Sequence, residues 1–221
     1  VGDWPARRGD ECPSCGDFLP GDSQLRRAVP CPACTASPPP YVARSLFPYE
    51  GVVGEAVRAI KYGGHYAPAS ALAERLANDG IRGRWAPLFP PGFRPLVVPV
   101  PIHPLKYLRR GFNLPSLVAS ALARTTGWRC DLSLLERISE RAPQAGLHQP
   151  ERSRNVESAF RVAGRGRRGV PPAILLVDDV FTTGATARAC ALALKRGGAR
   201  HIVVVTIARS TLTQRHAPET R

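Results

Sequence analysis

Asp178 and Asp179 close an unbroken apolar run, Ala173 to Val177, and lead into Val180-Phe181-Thr182-Thr183-Gly184-Ala185-Thr186. A short run of that kind has the composition of a strand buried on both faces of a parallel sheet. In such sheets ligands gather at the carboxyl ends of the strands. The helix expected from Ala185 to Arg196 would aim its free N–H groups at the same place, where they and the helix dipole favour an anion. Gly184 lets the backbone approach a phosphate, and Thr182, Thr183 and Thr186 add hydroxyl donors. Two adjacent carboxylates would repel a bare phosphate. They suit a ligand that also offers hydroxyls, or that brings Mg²⁺. A ribose 5-phosphate with free 2- and 3-hydroxyls meets both demands. An ordinary strand-to-helix turn capped by a threonine accounts for one Thr and one Asp, and leaves the rest of the order to coincidence. The chain holds neither G-x-x-x-x-G-K-[ST] nor a G-x-G-x-x-G between a strand and a helix.

A second constellation lies near the N-terminus. Cys12-Pro-Ser-Cys15-Gly16 and Cys31-Pro-Ala-Cys34 give two C-x2-C pairs separated by 15 residues. Two short knuckles can each turn a pair of thiolates toward one tetrahedral ion, and four soft ligands with no open position describe a structural Zn²⁺ site. Two disulfides, or four unrelated thiols, are the other readings of the same spacing. Cys130 and Cys190 stand alone in helix-like surroundings and read as small buried apolar residues. Nothing requires an oxidising compartment, so a cytoplasmic protein is expected.

The formal net charge is +14, nearly all of it from arginine, since lysine stands only at positions 61, 106 and 195. Such a chain is drawn to polyanions, although arginine spread over a solvated surface would give the same total. Arg109, Arg110, Phe112, Arg152 and Arg154 are the candidates for a clamp on pyrophosphate or DNA, with Phe112 available for stacking. The competing reading is a solvated loop with Phe112 in the core. Arg165 to Arg168 lie in a basic Gly-Arg turn.

These groups need elements to hold them. Residues 1–40 form a cysteine-bearing unit that ends in the stiff run Ser37-Pro-Pro-Pro40, and residues 41–221 form the main domain. The pattern predicts helices over Val53 to Tyr62, Pro68 to Ala77 and about Ser116 to Arg124, and a loop over 82–94. It predicts a strand at Leu96 to Val100, a loop carrying Arg109 to Asn113, a strand ending at Val177 with a loop over 178–184, and a last strand at His201 to Ala208. Strand, loop, helix and strand at the C-terminal end make a βαβ unit, so the fold class is α/β with a parallel sheet. The apolar runs are too short to span a bilayer, which takes ~20 residues.

The run Asp178 to Thr186 resembles the signature of type I phosphoribosyltransferases for 5-phosphoribosyl 1-diphosphate (PRPP). That resemblance implies that Asp178 and Asp179 contact the ribose hydroxyls, while Thr182, Thr183, Gly184, Ala185 and Thr186 wrap the 5-phosphate. A four-cysteine ribbon ahead of such a domain resembles the ComF family of competence proteins. Further marks are Lys61-Tyr-Gly-Gly64, Val98-Pro-Val-Pro101, Arg110-Gly-Phe-Asn113, Gln144-x-x-Leu147, Arg152-x-x-Asn155 and Ala159-Phe160. Where the family usually has Gln after Arg-Gly-Phe-Asn, this chain has Leu114-Pro115. Lys61 and Asn113 join the arginines as candidate contacts to pyrophosphate or DNA. The resemblance implies a PRPP-binding protein, with Mg²⁺, that handles single-stranded DNA during natural transformation. It places that protein in the cytoplasm by the inner membrane, beside a helicase-like partner. The alternative is an active phosphoribosyltransferase that passes ribose 5-phosphate to an acceptor.

Overall fold

Strands of four to nine residues, mostly apolar, make one sheet, and amphipathic segments between them make its cover. A computed structural model describes residues 11–17, 29–63, 68–138, 159–164 and 169–210. Gly64, Gln144, Leu147, Arg152, Arg154, Asn155 and Arg165 to Arg168 lie outside the described residues. In chain order the elements are α1 (Pro32–Ala36), β1 (Val42–Pro48), α2 (Gly51–Gly63) and α3 (Pro68–Arg75). A wide-turned helical segment (Leu76–Arg84) and a short tight turn (Ala86–Leu88) follow. Then come β2 (Leu96–Pro99), α4 (Pro104–Arg110), α5 (Leu114–Thr126), β3 (Leu135–Arg137) and β4 (Phe160–Val162). β5 (Ala173–Phe181), α6 (Ala185–Arg196) and β6 (His201–Arg209) are the last elements among the described residues.

The main sheet runs β1-β6-β5-β2, and every neighbouring pair is parallel. Side chains alternate across it with period two. Val97, Leu175, Val177, Val203, Val205 and Ile207 face a core shared with α2, α3 and α5. Leu96, Val98, Ile174, Leu176, Ile202 and Val204 face a second core under α6 and the antiparallel β3–β4 pair. Helical cover on both faces is why these strands carry no polar alternation. The expected class, α/β on a parallel sheet with a four-cysteine cluster ahead of it, is the one found.

Several boundaries differ from the sequence expectation. β5 continues through Asp178 and Asp179 to Phe181, because β6 runs alongside and pairs Asp178 with Thr206 and Phe181 with Arg209. The acids therefore stand on the strand, not in the loop. Arg109 and Arg110 end a helix rather than lie in a loop: α4 starts with Pro104 and stops at Gly111, whose φ of 74° suits glycine alone. The next helix starts at Leu114 with Pro115 in its first turn, which proline tolerates because no N–H is needed there. Helical turns also run through residues 82–84, expected to be loop, and the ring of Trp85 occupies the space a side chain at Gly80 would fill.

Candidate functional site

The four thiols of Cys12, Cys15, Cys31 and Cys34 are buried, and their sulfurs all lie within 4.8 Å of one another. Cys15 Sγ and Cys31 Sγ are 3.8 Å apart, about the edge of a tetrahedron with the ~2.3 Å arms of zinc–thiolate bonds. The Cys31 N–H donates to Cys12 Sγ at 3.2 Å. Burial raises the Cys12 thiol, but backbone donors from Cys15, Cys31 and Ser14 outweigh it and bring the group down to about 7. Burial pushes the Cys15 thiol up to about 11 and the Cys34 thiol up as well, so the fit to Zn²⁺ rests on four sulfurs at tetrahedral spacing, whose protons a bound ion would displace.

The cysteine unit is tied to the sheet by named contacts. The Ala43 N–H of β1 donates to the Ser14 carbonyl at 2.8 Å, and Arg44 donates to the Pro13 carbonyl at 3.2 Å. Arg209, at the end of β6, is only 2% exposed. Its Nε lies 3.1 Å from Asp17 Oδ1, its Nη1 donates to the Cys15 carbonyl at 2.7 Å, and its guanidinium sits 4.3 Å from the centre of the Phe181 ring. A guanidinium taken out of water needs this set of partners to offset its desolvation. Tyr41 reaches the loop on the other side, where its hydroxyl donates to the Gly184 carbonyl at 3.4 Å. A cavity of about 610 Å³ lies between the cysteines and the loop, lined by Tyr41, Thr183, Gly184 and Arg188 among others.

At the carboxyl end of β5 the acids occupy different surroundings. Asp178 is pushed up to about 7, first by burial and then by the charge of Asp179, against the pull of the Asp179 backbone N–H and of Lys61. That N–H donates to Asp178 Oδ1 at 2.8 Å. Asp179 instead meets Lys61 of α2, Nζ to Oδ2 at 2.8 Å, with both side chains more than four-fifths buried. Thr182 and Thr183 follow, exposed. Gly184 then takes φ 81° at the start of α6, and a Cβ there would meet Phe181 Cζ at 2.7 Å and the Tyr41 hydroxyl at 2.8 Å. No other residue fits that position without displacing both rings. The Ala185 N–H donates to Thr183 Oγ1. The arrangement pairs a negative rim with an N–H-bearing helix start, which can take a sugar phosphate by its hydroxyls and its anion together.

The expected site residues separate into two groups. Lys61 comes to the acids and pairs with Asp179, whereas the Arg110 guanidinium lies 4.9 Å from the ring centre of Tyr62 on α2. Arg109 is exposed on α4. Phe112 does not offer a stacking face, for it is 8% exposed and packs in the core with α5. Asn113 is committed inward too. Its Nδ2 donates to the Val100 carbonyl at 2.9 Å and lies 2.8 Å from Ser116 Oγ. Cys190 is fully buried, as expected, whereas Cys130 is half-buried beside Val97. Sequence reasoning missed Tyr62, Asp17 and Arg209. Only contacts across the fold identify them.

No family model matches the chain. It is 32% identical over 200 residues to the DNA utilization protein YhgH of Salmonella typhi, an alignment covering 90% of this chain and 84% of that one. Competence protein F of Haemophilus influenzae is 30% identical over 114 residues, covering 52% of this chain and 50% of the other. Among solved structures, the Bacillus subtilis glutamine PRPP amidotransferase complexed with ADP and GMP matches 62% of this chain and 25% of its own, at 20% identity and a TM-score of 0.41. That likeness is too loose to bear on function. The relatives named for DNA utilization and competence match at greater identity and, for YhgH, along nearly the whole length. The chain belongs to the ComF/YhgH family of DNA utilization and competence proteins.

Proposed function

We propose that the chain binds PRPP with Mg²⁺ at the end of β5 and handles single-stranded DNA in DNA uptake. The observation that carries the first half is the sequence of environments along one strand end: a buried carboxyl at Asp178, a lysine-paired one at Asp179, and the left-handed Gly184 that opens the start of α6. Asp178 and Asp179 accept from the ribose hydroxyls. Thr182, Thr183 and Thr186, with the backbone from Gly184 to Thr186, hold the 5-phosphate. Lys61 leaves Asp179 for the diphosphate when the ligand enters. Mg²⁺, when bound, would neutralise the diphosphate against the two carboxylates.

The second half rests on the family, whose members are named for DNA utilization and competence, and on the net charge of +14. Turnover of PRPP remains the alternative, and the same acids and loop serve it.

The test is ligand-induced thermal stabilisation. A ligand at 100 times its Kd stabilises a protein by about 2.7 kcal/mol. PRPP with Mg²⁺ is expected to raise the melting temperature of the parent. It should not raise that of a chain carrying Asp178→Asn and Asp179→Asn. Equal stabilisation of both would place PRPP elsewhere.

A further inference from the structure

Helix α4 buries none of its seven residues. Leu105 is 56% exposed, Tyr107 50% and Leu108 78%, and Tyr62 at the end of α2 is 75% exposed. Large apolar side chains gathered on one exposed element mark a surface that another molecule covers. The helical period divides α4 into two sides: positions 106, 107 and 110 share one, positions 105 and 108 the other. The first side holds Lys106, Tyr107 and Arg110, and it reaches α2 through Arg110, which lies over one face of Tyr62. Tyr62 stays three-quarters exposed despite that cover, so its other face is open. Arg58, one turn earlier on α2, is exposed as well, α4 contains no acid, and the exposed acid of α2, Glu55, lies two turns from Tyr62.

We propose that this side of α4, with the end of α2, is a track for single-stranded nucleic acid in which Tyr62 and Tyr107 stack on bases and Arg110 lies between them. The proposal rests on the reading that the protein handles single-stranded DNA, and it says where. Aromatic rings interleaved with cations are the chemistry of strand binding without sequence preference: rings take the bases, cations take the phosphates. A duplex hides its base faces and cannot use the rings. The track also begins at the crevice, because Lys61, next to Tyr62, is the partner of Asp179. A sugar phosphate held by the acids and a strand lying along α4 would be neighbours. Phe112, the aromatic residue that the sequence nominated, is replaced in this role by two that it did not.

The experiment titrates a fluorescently labelled 20-residue oligo(dT) with the full chain and follows anisotropy at several salt concentrations. The parent should bind the single strand more tightly than the matching duplex. The variant with Tyr62→Ser and Tyr107→Ser should bind at least about fivefold more weakly, with the same salt slope and an unchanged melting temperature. Tyr62→Phe with Tyr107→Phe should bind like the parent. Parent-like binding by the serine variant would overturn the track while leaving strand binding intact. A parent that fails to bind oligo(dT) at low salt would overturn both. A third arm mixes the chain with vesicles containing phosphatidylserine. Vesicle binding abolished by Leu105→Ser and Leu108→Ser, with the tyrosines dispensable for DNA, would make this helix a lipid contact instead.

Discussion

The four-cysteine cluster and the acidic end of β5 are both constellations of ionisable groups, and they face opposite problems. The cysteines converge from two knuckles and are buried, four sulfurs close enough to share one ion, which would offset their mutual repulsion as thiolates. The acids diverge. Asp178 is held in a buried setting that favours its neutral form, Asp179 leans on Lys61, and the loop beyond them is exposed. One arrangement is compatible with a structural ion, whose binding would contribute stability. The other holds a carboxyl in a setting that disfavours its charge, the feature that the proposed ligand site rests on. The contrast follows from where the fold puts each group: on knuckles held against an edge strand, or at the carboxyl end of a central one.

The strongest way to break the comparison is to remove the metal. Chelation, or Cys34→Ser, is expected to cost several kcal/mol, since structural zinc binding is itself folding free energy of about 10–16 kcal/mol in small domains. Metal analysis should find about one zinc per parent chain, and calorimetry should show a large fall in melting temperature without it. If melting is unmoved by chelation, the cysteines are ordinary core thiols and the contrast collapses.

A second, smaller effect tests whether the two regions are mechanically joined. Arg209→Ala removes one partner of a buried pair and should destabilise by about 3–5 kcal/mol in denaturant titrations. Adding Asp17→Asn should recover part of that loss, because the carboxylate no longer sits unneutralised in the interior. Additive losses would mean that the Arg209–Asp17 contact carries no coupling.

The smallest effect sharpens the account of the acids. The Asp178 carboxyl is raised to about 7 in the fold and is near 3.9 in an unfolded chain. Between those values the folded state holds more protons than the unfolded one, so stability contributed by the neutral acid is present below about pH 4 and is lost as pH rises toward 7. Asp178→Asn is therefore expected to raise the melting temperature at pH 8 by a few degrees, at about 2–4 °C per kcal/mol, and to do little at pH 4. A variant equally destabilised at both pH values would show that the carboxylate is a structural ligand there, not a strained one.

Much of this was legible in the residues. The C-terminal βαβ unit follows from an apolar run, a Thr-Gly turn and a helix that ends at Gly197, and α6 has the bounds the pattern implies. The cysteine spacing announces its own geometry. The length of β5 was not legible, because its last four residues are extended by backbone pairing to β6, which does not depend on side-chain polarity. Helix α4 escaped notice for a related reason. It has a proline start and a glycine stop, but no buried stripe to give it a period. β3 and β4 are three residues each, too short for alternation to register. The pairing of Tyr62 with Arg110, and of Asp17 with Arg209, depends on elements far apart in the chain.

Arg209 carries one more consequence, in the order of synthesis. It lies 192 residues after Asp17, and it belongs to β6, the strand that fills the space between β1 and β5. On a ribosome the two cysteine knuckles can come together early. β1 and β5 cannot be joined until residues 201–209 have emerged and inserted between them. Pairings across so long a separation form slowly, and the unpaired edges of β1 and β5 stay open to association until then. The last of the described strands locks the cysteine unit to the sheet, so damage to β6 should surface as aggregation of nascent chains before it surfaces as lost activity.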